Sequence, residues 1–148
     1  MEKKFIASVN TVIHLPIQRV WKALVDPEAI AAYMMGAQVT TDWKEDSPIV
    51  WKGEYNGRAF EDNGRVLVNR EPDLLRYTHS GGTSPGEEHV VTFELKDVMG
   101  TTHLRLTQDN NATQEAAKHS EELWTTMLDV LKEWLGEAAV ATPEAPRA

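Results

Sequence analysis

Cysteine is absent from this chain of 148 residues. That removes disulfides, thiolate nucleophiles and sulfur metal ligands, and it suits a reducing cytoplasm, the expected location. No stretch approaches the roughly 18 apolar residues of a membrane span. The first ten residues hold Lys3 and Lys4 but only a short apolar run, so a secretory leader is not expected. Basic residues number 15 against 23 acidic ones, for a formal net charge of −8, and they are scattered rather than clustered. Nucleic acid and anionic membrane are therefore poor partners. Catalytic signatures are missing too: there is no Gly-x-Ser-x-Gly elbow, no Walker loop and no His-Glu-x-x-His helix. Gly81-Gly82 falls between two strand-like segments, where it does not form a phosphate cradle. No cofactor and no metal are expected.

What is there reads as one domain over 1–137, followed by an Ala/Pro-rich tail, 138–148, expected to be disordered. Phe5 to His14 alternates as a first strand. Pro16 suits a helix start, and Ile17, Val20, Trp21 and Leu24 then make one apolar stripe. Asp26 caps a second, short helix with Pro27 at its first position, ending near Tyr33 with Gly36 beyond. Strands are expected at Gln38–Asp42, Pro48–Tyr55, Arg58–Glu71, Leu74–His79, Glu88–Val98 and Thr101–Gln108. Asn56-Gly57 and Met99-Gly100 are tight turns between them. A meander without crossover helices requires an antiparallel sheet. From Thr113 to Gly136 a long helix turns Ala116, Ser120, Leu123, Trp124, Met127, Leu128, Leu131, Trp134 and Leu135 to one wide face. The economical assembly is α+β: a curved antiparallel sheet of six to seven strands wrapped around that helix, leaving a cavity between them.

This order of elements resembles the helix-grip fold of the START-like (SRPBCC) superfamily. Within it the chain is similar to the homologues of the activator of the ninety-kilodalton heat-shock protein's ATPase. The resemblance is carried by Pro16 with Val20-Trp21-Lys22-Ala23-Leu24, by Asp26-Pro27-Glu28, and by Gly64-Arg65-Val66 leading to Glu71-Pro72 and Leu75-Arg76-Tyr77-Thr78. Val91 to Leu95, Gly100 to Gln108 and Leu123-Trp124 to Leu135 complete it. Three departures fall at the expected cavity: Tyr33-Met34 where the family has Trp, His79 where it has an aromatic, and Leu123 where it often has Gly. The resemblance implies no shared catalytic residues.

Strand parity then selects the side chains that face the helix. Val91, Phe93 and Leu95 mark the inward set of one strand, Leu104 and Leu106 that of the last. Leu75 and Tyr77 do the same for the strand before the loop, which turns His79 inward, and His89 shares parity with Val91. A hairpin there brings His79 and His89 together at the cavity mouth, with Glu87 nearby. Such a group can contact a ligand, bind a metal or move protons, or it can be ordinary sheet-edge histidine. Adjacent acids such as Glu61-Asp62 read as solvated, and Glu54 points outward. Tyr33, Met34 and Met35 form either a lid over variable apolar guests, with Gly36 as hinge, or a plug in the core. Trp51 and Tyr55 share parity and either line a pocket or fill it. Trp124, Met127, Leu128 and Leu131 are core in either case, Trp21 and Trp134 are packing alone, and His14, His103 and His119 have no assigned role.

The ligand-lining set is thus Tyr33, Met34, Met35, Trp51, Tyr55, Tyr77, His79, His89, Phe93, Leu106, Trp124, Met127, Leu128 and Leu131. The expected function is non-enzymatic binding of a small hydrophobic or aromatic molecule. Two alternatives stand beside it: a chaperone-interacting module, which the family name implies, and an enzyme of the cyclase or dehydratase kind using His79, His89 or Tyr77.

Overall fold

The computed structural model describes residues 5–81 and 88–136, the Tyr55 side chain excepted. The expected tail and Glu87 lie outside that set. Strand β1 (Phe5–Ile13) leads into helices α1 (Ile17–Leu24) and α2 (Pro27–Tyr33). Six strands follow: β2 (Gln38–Thr40), β3 (Pro48–Tyr55), β4 (Arg58–Arg70), β5 (Leu74–Ser80), β6 (Glu88–Val98) and β7 (Thr101–Asn111). Helix α3 (Gln114–Trp134) closes the described chain. The strands form one antiparallel sheet in the order β1-β7-β6-β5-β4-β3-β2. This is the helix-grip architecture.

Local signals explain the boundaries. The Asp26 carboxylate accepts the Glu28 N–H at 2.8 Å, with Pro27 opening α2. Thr113 caps α3 by accepting the Ala116 N–H at 2.9 Å. Asn56 and Gly57 both take positive φ (54° and 79°), as a two-residue hairpin between right-twisted strands requires. Strand β7 runs three residues past the expected end at Gln108 because its polar residues are bonded rather than solvated. The Asn111 amide donates to the Phe5 carbonyl at 3.1 Å, and the Asp109 carboxylate accepts the Val90 N–H at 2.7 Å.

Helix α3 lies over β1 and β7, and α2 bridges from α3 to β2, so two helices share the concave face. Ala117, Trp124, Met127, Leu128, Leu131 and Leu135 are buried there. Leu123 and Trp134, expected on the same face, stand 39% and 42% exposed. They sit on the flanks of a stripe narrower than the sequence pattern suggested. Trp21 is buried, as a packing residue should be.

Gly64 fixes how closely β4 and β5 approach. A side chain there would overlap the Thr78 carbonyl oxygen and touch the Trp51 ring at 3.1 Å. Because the obstacle is backbone, it cannot step aside. Gly64→Ala is expected to cost about 3 kcal/mol, read as a lowered urea midpoint at unchanged slope. A loss under about 0.5 kcal/mol would show that the two strands are free to part.

Candidate functional site

The concave face carries a continuous strip of rings. Trp43 and Trp51 lie against Tyr77, with centroids 6.3 Å and 5.4 Å away. Tyr77 meets Phe93 at 6.0 Å, and Phe93 meets Trp124 edge-on at 5.8 Å. Separations and tilts of this kind are those that aromatic quadrupoles favour. On the other side Trp51 touches the His79 ring at 5.0 Å. Trp51 rises from β3 and reaches Tyr77 of β5 across Gly64 of β4, while Phe93 comes from the adjacent β6 and Trp124 from α3. Trp43 was not singled out in the sequence. It reaches the strip from the β2–β3 connection in a left-handed backbone conformation (φ 62°), which no strand periodicity can reveal.

His79 and His89 are direct cross-strand partners, as parity required. Their side chains nonetheless serve different neighbours. The His79 Nε2 lies 3.0 Å from the Asp62 Oδ2, both groups half-buried at 34% and 24% exposure. The His89 Nδ1 lies 2.7 Å from the Asp109 carbonyl oxygen, which ties that ring to β7. Asp62 is thus a correction to its expected place in solvent. It is the cross-strand partner of Trp51 and shares that residue's inward face, whereas Glu61 is exposed. Glu54 is exposed, as expected. No three His, Asp or Glu side chains among the described residues are arranged to hold a metal ion.

Polar atoms along the strip are treated unequally. The Trp124 indole N–H donates to the Gln108 side-chain oxygen at 2.6 Å, and the Ser120 hydroxyl donates to the Asn111 side-chain oxygen at 2.9 Å. The Tyr33 hydroxyl donates to the Leu24 carbonyl at 3.0 Å. By contrast, the Trp51 Nε1 and the Tyr77 hydroxyl are fully buried with no hydrogen-bond partner among the described residues. A buried donor left unpaired costs about 1–3 kcal/mol. Both Tyr33 and Tyr77 resist ionisation: burial raises each hydroxyl's pKa, and for Tyr77 the neighbouring Tyr33 adds to the rise.

The remaining expected residues fall into two groups. Tyr33, Phe93, Leu106, Trp124, Met127, Leu128 and Leu131 are all buried in one core cluster with Trp51 and Tyr77. Met34 packs partly buried against it, while Met35 is 42% exposed at a positive φ of 58° just before Gly36. Tyr55 belongs to β3, but its side chain is outside the described set. The sequence left undecided whether the expected cavity is open or filled, and the concave face is filled. Its aromatic side chains meet one another, and two clefts among the described residues open elsewhere, lined by sheet residues such as Arg76, Thr92 and Arg105. No helix among the described residues is long and apolar enough to cross a membrane.

The model of the activator of Hsp90 ATPase homolog 1-like proteins matches residues 14–136. The chain belongs to this family. The match spans the two short helices, the meander and α3, the ordered set that carried the resemblance in the sequence. The solution structure of ChR145 from Cytophaga hutchinsonii is 48% identical, with a TM-score of 0.82, covering 96% of this chain and 100% of that one. The crystal structure of MLL2253 from Mesorhizobium loti is 21% identical, with a TM-score of 0.76, over 88% of this chain and 96% of that one. CalU16 from Micromonospora echinospora shares the fold at 17% identity and a TM-score of 0.68, over 95% and 96% of the two chains. Comparison with curated proteins gives no match.

Two outcomes follow from the unpaired and un-ionised tyrosine. Tyr77→Phe removes a buried oxygen that has no partner, so the melting temperature should hold or rise; a fall of more than about 3 °C would mean that the hydroxyl is bonded after all. In alkali the sign runs the other way. An unfolded tyrosine loses its proton near pH 10, about the ordinary value, while the folded one keeps it. Above that pH the unfolded chain binds fewer protons, so stability falls, by up to about 1.4 kcal/mol per pH unit for each tyrosine. Urea midpoints from about pH 9 to pH 11 should decline, and less steeply in Tyr77→Phe; equal slopes would refute this.

Proposed function

We propose that the protein binds a small hydrophobic or aromatic molecule between the concave face and α3, without chemistry on it. The observation that carries this reading is the pair of buried, unpartnered donors at Trp51 and Tyr77 inside an otherwise well-satisfied core. A guest entering there gains apolar burial against Phe93, Leu106, Trp124, Met127, Leu128 and Leu131 and can meet the two donors. His79 closes the strip beside Trp51, with His89 opposite it across β5 and β6. Because the rings are in mutual contact, entry requires some of them to turn aside. Met34, partly buried, and Met35, exposed just before Gly36, form the adaptable cover after α2, whereas Tyr33 is held in the core by its bond to Leu24.

The family's name supports a second reading, a module that engages a heat-shock ATPase. The cyclase or dehydratase reading gains one feature, the contact between Asp62 and His79, which orients an imidazole as a proton acceptor would be oriented. The binding reading ranks first because the unpartnered donors call for a guest and require no chemistry on it.

A panel of hydrophobic and aromatic compounds should contain members that raise the melting temperature by about 3 °C at ten times their dissociation constant. The same members should alter tryptophan emission in wild type but less in Trp51→Phe. If a chemically diverse panel leaves both signals unmoved while the chain stimulates a heat-shock ATPase, the module reading replaces this one.

A further inference from the structure

Resting on the guest-binding reading, we infer that the guest is a neutral aromatic molecule with an oxygen acceptor, such as an aryl ketone, seated against Trp51 and Tyr77. Trp51 decides the acceptor, because an indole nitrogen can only donate. Tyr77, whose ring touches that of Trp51 at 5.4 Å, brings a second unpartnered polar atom to the same patch. A hydrocarbon would leave both unsatisfied, and a guest rich in donors would offer Trp51 nothing. The contrast within this one core is the evidence: the Trp124 indole has its acceptor in Gln108, and the Tyr33 hydroxyl has its acceptor in Leu24. Only the donors beneath the strip's centre lack one among the described residues.

Neutrality follows from the next ring along. His79 lies 5.0 Å from Trp51 and is engaged by the Asp62 carboxylate at 3.0 Å. The Asp62 carboxylate already engages His79, and an anionic guest would bring like charge beside it. The flanking rings at Trp43, Phe93 and Trp124 supply faces and edges against which aryl groups stack.

Three probes with a common two-ring frame test this on the full chain by calorimetry: diphenylmethane, benzophenone and 4-benzoylbenzoate. Benzophenone should bind about tenfold more tightly than diphenylmethane, the worth of one satisfied buried donor, and more tightly than the carboxylate. Trp51→Phe and Tyr77→Phe should each cut the preference for ketone over hydrocarbon to about threefold or less. Independently of any variant, the Trp51 indole N–H resonance should move downfield with benzophenone and not with diphenylmethane. Equal affinity for ketone and hydrocarbon, with an unmoved indole resonance, overturns the acceptor inference and leaves guest binding standing. Tighter binding of the carboxylate than of the ketone overturns neutrality. If none of the three probes binds while the wider panel still raises the melting temperature, the ketone inference falls and guest binding stands; if neither has an effect, both fall.

Discussion

A seven-stranded sheet is wider than a single helix, and most of this molecule follows from that mismatch. Six inter-strand spacings of about 4.8 Å make a surface about 29 Å across, whereas a helix with its side chains covers about 10 Å. Curling the sheet brings its ends closer but cannot remove the difference. Helix α3 takes the β1 and β7 side and α2 reaches back to β2. What remains between them is filled by large rings rising from β3, β5 and β6. Aromatic residues are only 7% of the chain, so concentrating them on one face puts scarce bulk where the helices do not reach.

Filling by rings has a chemical side effect. Leucine would close the same space silently, but tryptophan and tyrosine bring polar atoms with them. At the α3 side those atoms are absorbed by Gln108, Ser120 and Asn111, residues that β7 and α3 place within reach of one another. At the centre, the Trp51 Nε1 and the Tyr77 hydroxyl meet no acceptor among the described residues, although Asp62 and His79, bonded to each other, stand beside Trp51. The same packing solution therefore yields a finished polar network on one flank and an unfinished one in the middle.

Much of this could be read from the residues alone, because the relevant signals are local. The Asp26-Pro27 cap, the Asn56-Gly57 turn and the long periodic stripe from Ala116 to Leu135 each specify their element without reference to anything distant, although α3 buries Ala117 rather than Ala116. Parity placed His79 opposite His89 because β5 and β6 alternate cleanly. Strand β4 does not: an irregularity between Val66 and Val68 shifts its register, so one alternation cannot describe all 13 residues. Asp62 lies before that shift and shares parity with the buried Val66; it reads as solvated only when grouped with its exposed neighbour Glu61. Whether the cavity is open was beyond reach for a different reason. It depends on how several rings settle against each other, and no pattern along the chain encodes that.

The bond from the Ser8 amide to the Glu121 carboxylate, 3.0 Å long, has a meaning beyond fastening α3 to β1. Strand β1 is an outermost strand, and an outermost strand offers spare backbone donors to any other extended chain. Here a helix of the same molecule occupies one of them, and at the opposite border β2 is only three residues long. An incoming strand would have to evict a carboxylate at one margin and would find too little backbone at the other. Both flanks are thereby poor templates for strand-to-strand polymerisation.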